Sequence, residues 1–286
     1  MKDGFEIVDG HVHTFSSEEV SKKIIDSFNR AYNILFENPG TGTIEDVLAN
    51  MAESGADYTV MANFAPPGIL HKNNLWTIDM AKLHGSLIPL VSFHPGMQGR
   101  LWGFLECYRS EGAKGVKLHP MAQNFDPLNG RLDEVYGYCG DNGLPVVFHC
   151  GRVANARLNE YSDLNILEKV IGRYPETIFV LTHMADGNAE DVVRTAKSYP
   201  NIFFDTSIVI TGYPPLIRTN EPSWLVDKEV VDVINTIGAE RVVFGSDYPW
   251  GSPKHDIDRI LGMELTDSQK RLILSENSMR LFRPKE

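Results

Sequence analysis

The sequence predicts an α/β protein and, within that class, a (β/α)8 barrel of the TIM-barrel type. Short apolar runs recur eight times along the 286 residues, with helical patterns between most of them. Most runs are almost continuously apolar, which is typical of parallel strands covered on both faces. Eight strands alternating with helices favour a closed barrel. A doubly wound open sheet is the alternative. Nucleotide-binding proteins of that fold have a glycine-rich phosphate loop after the first strand, and this sequence has none there.

The predicted strands are rich in β-branched or aromatic residues and are bounded by Gly, Pro or Asp. They cover residues 5–9, 58–63, 87–93, 115–119, 145–149, 177–183, 202–206 and 241–247. Apolar residues at helical spacing predict helices over residues 43–54, 163–174, 188–199 and 227–237, the first with Thr43 as its N-cap. Weaker helical patterns cover residues 74–84, 98–111, 131–142 and 254–262, and the tail predicts a C-terminal helix over 266–282.

Two segments are too long to be simple connections. Residues 18–36, after the first strand, predict an extra amphipathic helix, and residues 207–226, rich in Pro and aromatics, follow the seventh strand. In a barrel both segments would lie over the C-terminal face, where they could shape a pocket.

Composition predicts a single soluble domain over residues 1–286, because no linker or shift in composition divides the chain. The net charge of −11 argues against nucleic acid or an anionic membrane as a partner. Three widely spaced cysteines exclude a full disulfide framework and suit a reducing compartment. With no apolar stretch long enough for a signal peptide or a membrane span, we expect a cytoplasmic protein.

Two histidines, His11 and His13, stand at the end of the first apolar run. Alternate side chains of a strand point the same way, so both imidazoles should leave one face together. Such a pair can hold a borderline-soft divalent cation such as zinc. Taken alone, the pattern is equally compatible with two polar residues that close a strand.

Other chemically useful side chains fall at the ends of later predicted strands, and five of the nine histidines gather at these ends. Because barrel enzymes build their active sites at the C-terminal face, this placement predicts a catalytic centre there. The residues are His11, His13, Lys117, His119, His149, His183, Asp205 and Asp247.

Five motifs together resemble the amidohydrolase superfamily. They are Asp9-Gly10-His11-Val12-His13, Gly115-Val116-Lys117-Leu118-His119-Pro120, Val147-Phe148-His149-Cys150-Gly151, Leu181-Thr182-His183 and Phe244-Gly245-Ser246-Asp247-Tyr248-Pro249. More narrowly, the set is similar to the amidohydrolase-related branch, which contains aminocarboxymuconate-semialdehyde decarboxylase. The resemblance spans nearly the whole chain, in order. It is specific for the superfamily and says little about the substrate.

The resemblance implies that His11, His13, His149 and Asp247 hold one divalent metal, with zinc first and manganese as an alternative. Such a metal would bring the pKa of a bound water near 7. Asp247 would accept a proton from that water, and His183 would act as general acid or base or polarise the substrate oxygen. The resemblance is also compatible with a homodimer.

Lys117, His119 and Arg152 are candidates for contact with the substrate. Lys117 and His119 share a strand face about 6–7 Å apart, and Arg152 could clamp a carboxylate. Some superfamily relatives bridge two metals with a carboxylated lysine on the fourth strand, and Lys117 could do so, with His183 as a second-metal ligand. We favour one metal, because counting along the strands puts His119, not Lys117, level with His149. Lys117 paired with a carboxylate and Arg152 in a surface salt bridge are the structural alternatives.

The sequence therefore predicts a metal-dependent hydrolase of a small carbonyl, ester, lactone or amide. The alternative is a lyase of the same fold that decarboxylates a small aromatic or muconate-like acid without oxidation. A barrel that only binds a ligand is a third hypothesis, and the complete set of candidate ligands argues against it.

Overall fold

The structure, a computed structural model, describes residues 1–32, 40–151, 159–209 and 225–282. Its strands are short, and each pairs in parallel with its neighbours. They are β1 (Val8–Val12), β2 (Tyr58–Met61), β3 (Leu87–Pro89), β4 (Val91–Ser92), β5 (Val116–Leu118), β6 (Val146–Phe148), β7 (Phe179–Leu181), β8 (Ile202–Asp205) and β9 (Val242–Val243).

The strands form a ring of eight positions, because β3 and β4 are two parts of one run interrupted at Leu90. β3 pairs with β2 and β4 pairs with β5, so this run connects the two halves of the ring. Backbone hydrogen bonds join β1 to the chain after β9. Gly10 donates its N–H to Phe244 O at 2.8 Å, and Asp247 donates its N–H to His11 O at 2.8 Å. The predicted barrel fold is therefore confirmed.

The first strand begins later than predicted. β1 starts at Val8 rather than at residue 5, because the chain reverses over residues 2–5. There Lys2 and Phe5 exchange two backbone hydrogen bonds of 2.9 Å across a turn. The strand continues to Val12, so His11 lies within β1 and His13 directly follows it.

Helices follow most of the strands and cover the outside of the ring. They are α1 (Glu18–Tyr32), α2 (Ile44–Ser54), α3 (Leu70–Leu83), α4 (Leu101–Ser110), α5 (Pro120–Gln123), α6 (Asp133–Asn142), α7 (Leu164–Arg173), α8 (His183–Gly187), α9 (Ala189–Ser198), α10 (Asp227–Ile237), α11 (Pro253–Gly262), α12 (Asp267–Arg271) and α13 (Asn277–Phe282). Short 3₁₀ helices occupy Gly130–Leu132 and Ala239–Arg241, and a π-helical turn, Leu272–Glu276, joins α12 to α13. None of the helices in the described ranges is long and apolar enough to cross a membrane.

The extra helix predicted after the first strand is confirmed as α1, and the predicted C-terminal helix is confirmed as α12, the π-turn and α13. Residues 33–36 of the predicted extra helix lie outside the described residues. So does most of the long segment predicted after the seventh strand, residues 210–224.

The core has two layers, which the strands separate by their two-residue alternation. In β6, Val146 and Phe148 pack in the large cluster beneath the helices, whereas Val147 packs in a second cluster with Val8 and Val243. That second cluster unites residues from both halves of the ring, so it fills the barrel interior.

The same alternation directs the chemically useful side chains into the barrel. His149 lies two residues after the inward-facing Val147. Lys117 lies between Val116 and Leu118, which both pack outward. These side chains therefore emerge on the inner face, at or near the carboxyl ends of their strands.

Candidate active site

Three predicted ligands converge at the carboxyl end of the barrel. His11 Nε2 lies 3.2 Å from His13 Nε2. Asp247 Oδ1 lies 3.3 Å from His11 Nε2 and 3.2 Å from His13 Nε2. All three residues are buried, and their donor atoms could contact one cation together.

The backbone after β9 is arranged to bring Asp247 to this point. Asp247 has a φ of 62°, in the left-handed region that few non-glycine residues adopt. Asp9 accepts hydrogen bonds from Ser246, at 3.0 Å from its N–H and 2.5 Å from its hydroxyl. Gly245 allows β1 to approach, because a Cβ at this position would lie 2.8 Å from His11 Cβ. Burial raises the pKa of Asp9 to about 7.

The far side of the His11 ring is held by Asp205, at the end of β8. His11 Nδ1 lies 2.8 Å from Asp205 Oδ2. Burial would raise the pKa of Asp205, but His11 and His183, with hydrogen bonds from His11 and Ser207, lower it below its ordinary value. Asp205 is therefore an ionised acceptor, so His11 Nδ1 carries the proton and Nε2 presents a lone pair to His13 and Asp247.

The electrostatics of the site favour neutral histidines beside an ionised aspartate. Burial lowers the pKa of His11, and it lowers that of His13 to about 4. Burial alone would raise the pKa of Asp247, but His11, His13 and His183 lower it to about 2. At neutral pH the site therefore offers imidazole and carboxylate lone pairs, the form in which these groups bind a metal.

Lys117 contacts the same cluster from below. Its Nζ lies 3.0 Å from His11 Nε2, and the side chain is fully buried. Burial lowers the pKa of Lys117 to about 8, although Asp205 and Asp247 act to raise it. Lys117 thus makes a hydrogen bond to a candidate ligand, and the charges of the Asp205 and Asp247 carboxylates act on it as well.

A second group contains the other three predicted histidines. His149 Nδ1 lies 3.2 Å from His183 Nε2. The rings of His119 and His149 stack, with centroids 3.8 Å apart and planes inclined by 12°. Burial lowers the pKa of both His119 and His149 well below the ordinary histidine value. His149 does not join the compact group of His11, His13 and Asp247 among the described residues.

His183 begins α8, and its backbone is unusual. His183, Met184 and Ala185 have φ values of 57°, 43° and 51°, so this short helix opens with left-handed turns. Such a backbone persists only where its surroundings hold it. Here the His183 N–H donates to Asp205 Oδ1 at 2.8 Å, and the Ser207 hydroxyl lies 2.8 Å from His183 Nδ1.

Aromatic side chains form the wall above these histidines. Phe64, after β2, lies with its ring centroid 4.5 Å from that of His119 and 5.5 Å from that of His13. Phe28 of α1 lies 5.2 Å from the ring of Trp250, which lies 5.2 Å from His13. The extra helix therefore contributes directly to the wall of the site.

The residues present suit a divalent metal. Three acceptor atoms face one another at 3.2–3.3 Å, an arrangement that a shared cation would stabilise. His149 Nε2 is buried and has no hydrogen-bond partner among the described residues. Imidazole nitrogen with carboxylate oxygen is a donor set that zinc accepts, and manganese also takes carboxylate ligands.

Most of the residues that the structure gathers here are candidates in the sequence, and a few are not. Arg152, a predicted substrate contact, lies outside the described residues. Ser207, Asp9 and Phe64 were not predicted to belong to the site. The signals in the sequence are that Ser207 follows Asp205 by two residues and that Asp9 opens the motif Asp9-Gly10-His11-Val12-His13.

The fold and the donor set define a metal-dependent barrel enzyme. The family model for amidohydrolases matches residues 8–283. The chain therefore belongs to the amidohydrolase family, whose members are metal-dependent enzymes. The resemblance seen in the five sequence motifs is confirmed. Comparison with the curated proteins gives no match.

Solved structures similar to this chain share its fold at low sequence identity. An uncharacterised TIM-barrel protein from Bordetella bronchiseptica has a TM-score of 0.75 at 20% identity, over 96% of this chain and 98% of that one. The 5-carboxyvanillate decarboxylase of Novosphingobium aromaticivorans, solved with manganese and 4-hydroxy-3-methoxy-5-nitrobenzoic acid, has a TM-score of 0.72 at 13% identity, over 98% and 97%. A Pseudomonas putida protein assigned as a 2-pyrone-4,6-dicarboxylic acid hydrolase has a TM-score of 0.68 at 17% identity, over 97% of each chain.

Proposed function

We propose that this protein is a metal-dependent hydrolase of a small carbonyl, ester, lactone or amide substrate, built as one domain over residues 1–286. The observation that carries the proposal is the convergence of His11, His13 and Asp247 at 3.2–3.3 Å. These residues would hold a divalent metal, with His149 Nε2 as a further ligand. When bound, the metal would supply Lewis-acid chemistry, which polarises a carbonyl group and acidifies water.

Two residues would move protons. Asp247 is ionised at neutral pH because its pKa is about 2, so its carboxylate can accept a hydrogen bond from the attacking water. His183 lies beside His149 at 3.2 Å and would take up one proton from solvent and give it to the leaving group, while the proton that Asp247 accepts from the water returns to solvent after turnover. The proton acceptor, Asp247, and the proton donor, His183, would then lie at the ends of different strands, so that neither side chain has to reach across the substrate.

Three residues are proposed to contact the substrate. His119 stacks on His149, which places its ring beside a proposed ligand and under Phe64. Lys117 lies deeper, against His11, where its amine could donate a hydrogen bond to a substrate group close to the cluster. Arg152 keeps the role of carboxylate clamp that its sequence position suggests.

Non-oxidative decarboxylation is the second candidate. The aromatic wall of Phe28, Phe64 and Trp250 favours a planar ring substrate. The Novosphingobium neighbour is a decarboxylase of an aromatic acid. In this reaction His183 would deliver a proton to the ring carbon that loses carboxylate.

A product assay separates the two reactions. Small lactones, esters, amides and aromatic carboxylic acids are incubated with metal-replete protein, and hydrolysis products and carbon dioxide are measured together. We expect hydrolysis without carbon dioxide. Carbon dioxide release in step with substrate loss would replace the hydrolase assignment by the lyase. His11→Ala should abolish either activity, and turnover that survives in this variant and copurifies with the protein would refute the proposed role of His11 in holding the metal.

Zinc is the proposed metal, at close to one ion per chain. Elemental analysis of protein purified without chelator tests both points. His11→Ala should contain much less metal than wild type. Manganese in place of zinc would change only the proposed identity of the metal. About two ions per chain would favour the site in which a carboxylated Lys117 bridges two metals.

A further inference from the structure

The hydroxyl of Ser207 is placed between the carboxylate of Asp205 and the ring of His183. Ser207 Oγ lies 2.5 Å from Asp205 Oδ1 and 2.8 Å from His183 Nδ1. All three side chains are buried. Asp205 Oδ2 meanwhile binds His11 Nδ1 at 2.8 Å, the shorter of two contacts of that nitrogen, because Ser207 Oγ lies 3.2 Å from it.

The hydrogen-bonding capacity of these groups determines where each proton lies. Asp205 Oδ1 already accepts the backbone N–H groups of His183 and Ser207, so this oxygen is an acceptor and the hydroxyl hydrogen of Ser207 points to it. Ser207 Oγ is then an acceptor toward His183 Nδ1. The carbonyl oxygen of Ser207, at 3.2 Å from the same nitrogen, is also an acceptor. His183 Nδ1 therefore carries a hydrogen, and His183 Nε2 has the lone pair in the neutral ring.

The hydrogen-bond direction at His183 also determines which nitrogen of the His149 ring carries the hydrogen. His183 Nε2 lies 3.2 Å from His149 Nδ1. Because His183 Nε2 is an acceptor, His149 Nδ1 must donate, and His149 Nε2 keeps its lone pair. That atom is the buried nitrogen without a hydrogen-bond partner among the described residues.

We infer that Asp205 and Ser207 form a tautomer-setting pair, in which Asp205 acts directly on His11 and, through Ser207, on His183 and His149. Ser207 is a positioning residue, because it acts through His183. The pair leaves the Nε2 atom of all three rings with a lone pair, and it makes His183 a proton acceptor before it can be a proton donor. The last point rests on the proposed function of His183, whereas the tautomers themselves do not.

Two variants test separately the direct action of Asp205 on His11 and its action through Ser207 on His183. Ser207→Ala removes the hydroxyl and leaves His183 Nδ1 only the carbonyl at 3.2 Å. In Asp205→Asn, the amide oxygen should stay at the Oδ1 position, which receives the N–H groups of His183 and Ser207 and the Ser207 hydroxyl. The amide nitrogen would then face His11 Nδ1 and donate to it, which moves the His11 proton to Nε2.

The experiment is nitrogen-15 NMR of histidine ring nitrogens in the full chain, as purified and again after Zn²⁺ is added. His11→Gln, His149→Gln and His183→Gln assign the signals. In wild type we expect all three rings to be protonated at Nδ1. Ser207→Ala should shift the His183 tautomer ratio toward Nε2–H by about fivefold, the worth of one hydrogen bond. His11 should stay protonated at Nδ1, because its shorter contact with Asp205 Oδ2, at 2.8 Å, remains when the Ser207 contact at 3.2 Å is lost. Asp205→Asn should reverse the His11 tautomer, leave His183 unchanged and lower the affinity for Zn²⁺ by about 10–100-fold.

Two further variants serve as controls. Ser207→Thr keeps the hydroxyl and should restore the wild-type His183 pattern. Ser275→Ala removes another buried serine hydroxyl that donates to a carboxylate, Glu6 at 2.8 Å, near the amino end of β1, and should change no histidine signal of the site. His183 protonated at Nε2 in wild type, or an unchanged His183 tautomer in Ser207→Ala, would overturn the inference. The experiment measures the tautomers and not the activity. If the tautomers are as expected but the protein lacks the proposed activity, the proposed function is refuted and the inference about Asp205 and Ser207 stands.

Discussion

The ammonium nitrogen of Lys117 lies 3.0 Å from His11 Nε2, the ring nitrogen that also faces His13 and Asp247. A positive charge thus stands where a metal ligand presents its lone pair. Because the pKa of Lys117 is about 8, the group is mostly charged at pH 7, and a bound metal must displace its proton. This competition lowers the apparent metal affinity, and it weakens as the pH rises.

Lys117→Met should therefore bind Zn²⁺ more tightly than wild type at pH 7. One pKa unit separates pH 7 from the pKa of about 8, so the expected gain is about tenfold. At pH 9 the two proteins should bind alike, because wild-type Lys117 is then mostly neutral. Competition titration against a chromophoric chelator measures both affinities.

The exposed Lys82 is the matched control, since Lys82→Met removes a charge that pairs with Glu111 at the surface. Its Zn²⁺ affinity should equal that of wild type at both pH values. Loss of metal in Lys117→Met would contradict the prediction and would instead indicate a carboxylated Lys117 that itself holds metal.

The position of Lys117 also illustrates what local sequence can predict. Two-residue alternation along β5 places its side chain inside the barrel, and the structure confirms this, because Val116 and Leu118 pack outward. The same rule places His149 and Asp205 inward. A local pattern is sufficient here because a parallel strand has only two faces.

The contacts between strand ends could not be predicted in the same way. Ser207 reaches His183 only because β7 and β8 are neighbours in the ring and α8 opens with left-handed turns. Phe28 and Phe64 become a wall because α1 folds over the mouth. Neither contact can be predicted from the local spacing of residues, because a serine after a strand usually caps a helix and a phenylalanine in a helix usually packs in the core.

Asp247→Asn should lower kcat by about 10²–10⁴-fold, the range for loss of a general base. The amide matches the shape of the carboxylate but cannot take up a proton, and the Asp247 N–H to His11 O bond does not depend on the side chain. Metal content and the urea midpoint, measured beside kcat, distinguish this loss from loss of the ion or of the fold.

Asp227→Asn is the control for the Asp247 variant, because Asp227 is a half-exposed carboxylate on α10 that pairs with Arg259. It should retain wild-type kcat. An Asp247→Asn protein with wild-type turnover would refute the proton role of Asp247 and would leave it, at most, as a ligand.

Phe64→Leu should discriminate against planar substrates. Leucine keeps much of the apolar volume but loses the flat face that lies 4.5 Å from the His119 ring. Loss of one aromatic contact of about 0.5–1.5 kcal/mol should raise KM for a ring substrate by roughly two- to tenfold. An open-chain substrate should show little change, and an equal effect on both substrates would mean that Phe64 supplies only bulk.

The metal-free protein should lose stability as the pH falls from about 6.5 toward 4. The pKa of His13 is lowered by burial from 6.5 to about 4 in the folded state. Between these values the unfolded chain binds the proton first, so acid favours unfolding. The contribution of His13 should reach about 3 kcal/mol once the pH lies below both values. His11, His119 and His149 have lowered pKa values as well and act in the same direction.

Urea unfolding of the metal-free protein, followed from neutral pH down to about pH 4, measures this dependence. His13→Gln should show a flatter decline than wild type, because the variant has no imidazole to protonate at this position. The two curves should run parallel above pH 7, where His13 is neutral in both the folded and the unfolded chain. A variant that declines as steeply as wild type would show that His13 does not resist protonation in the folded state, and that the site tolerates charge on this ring.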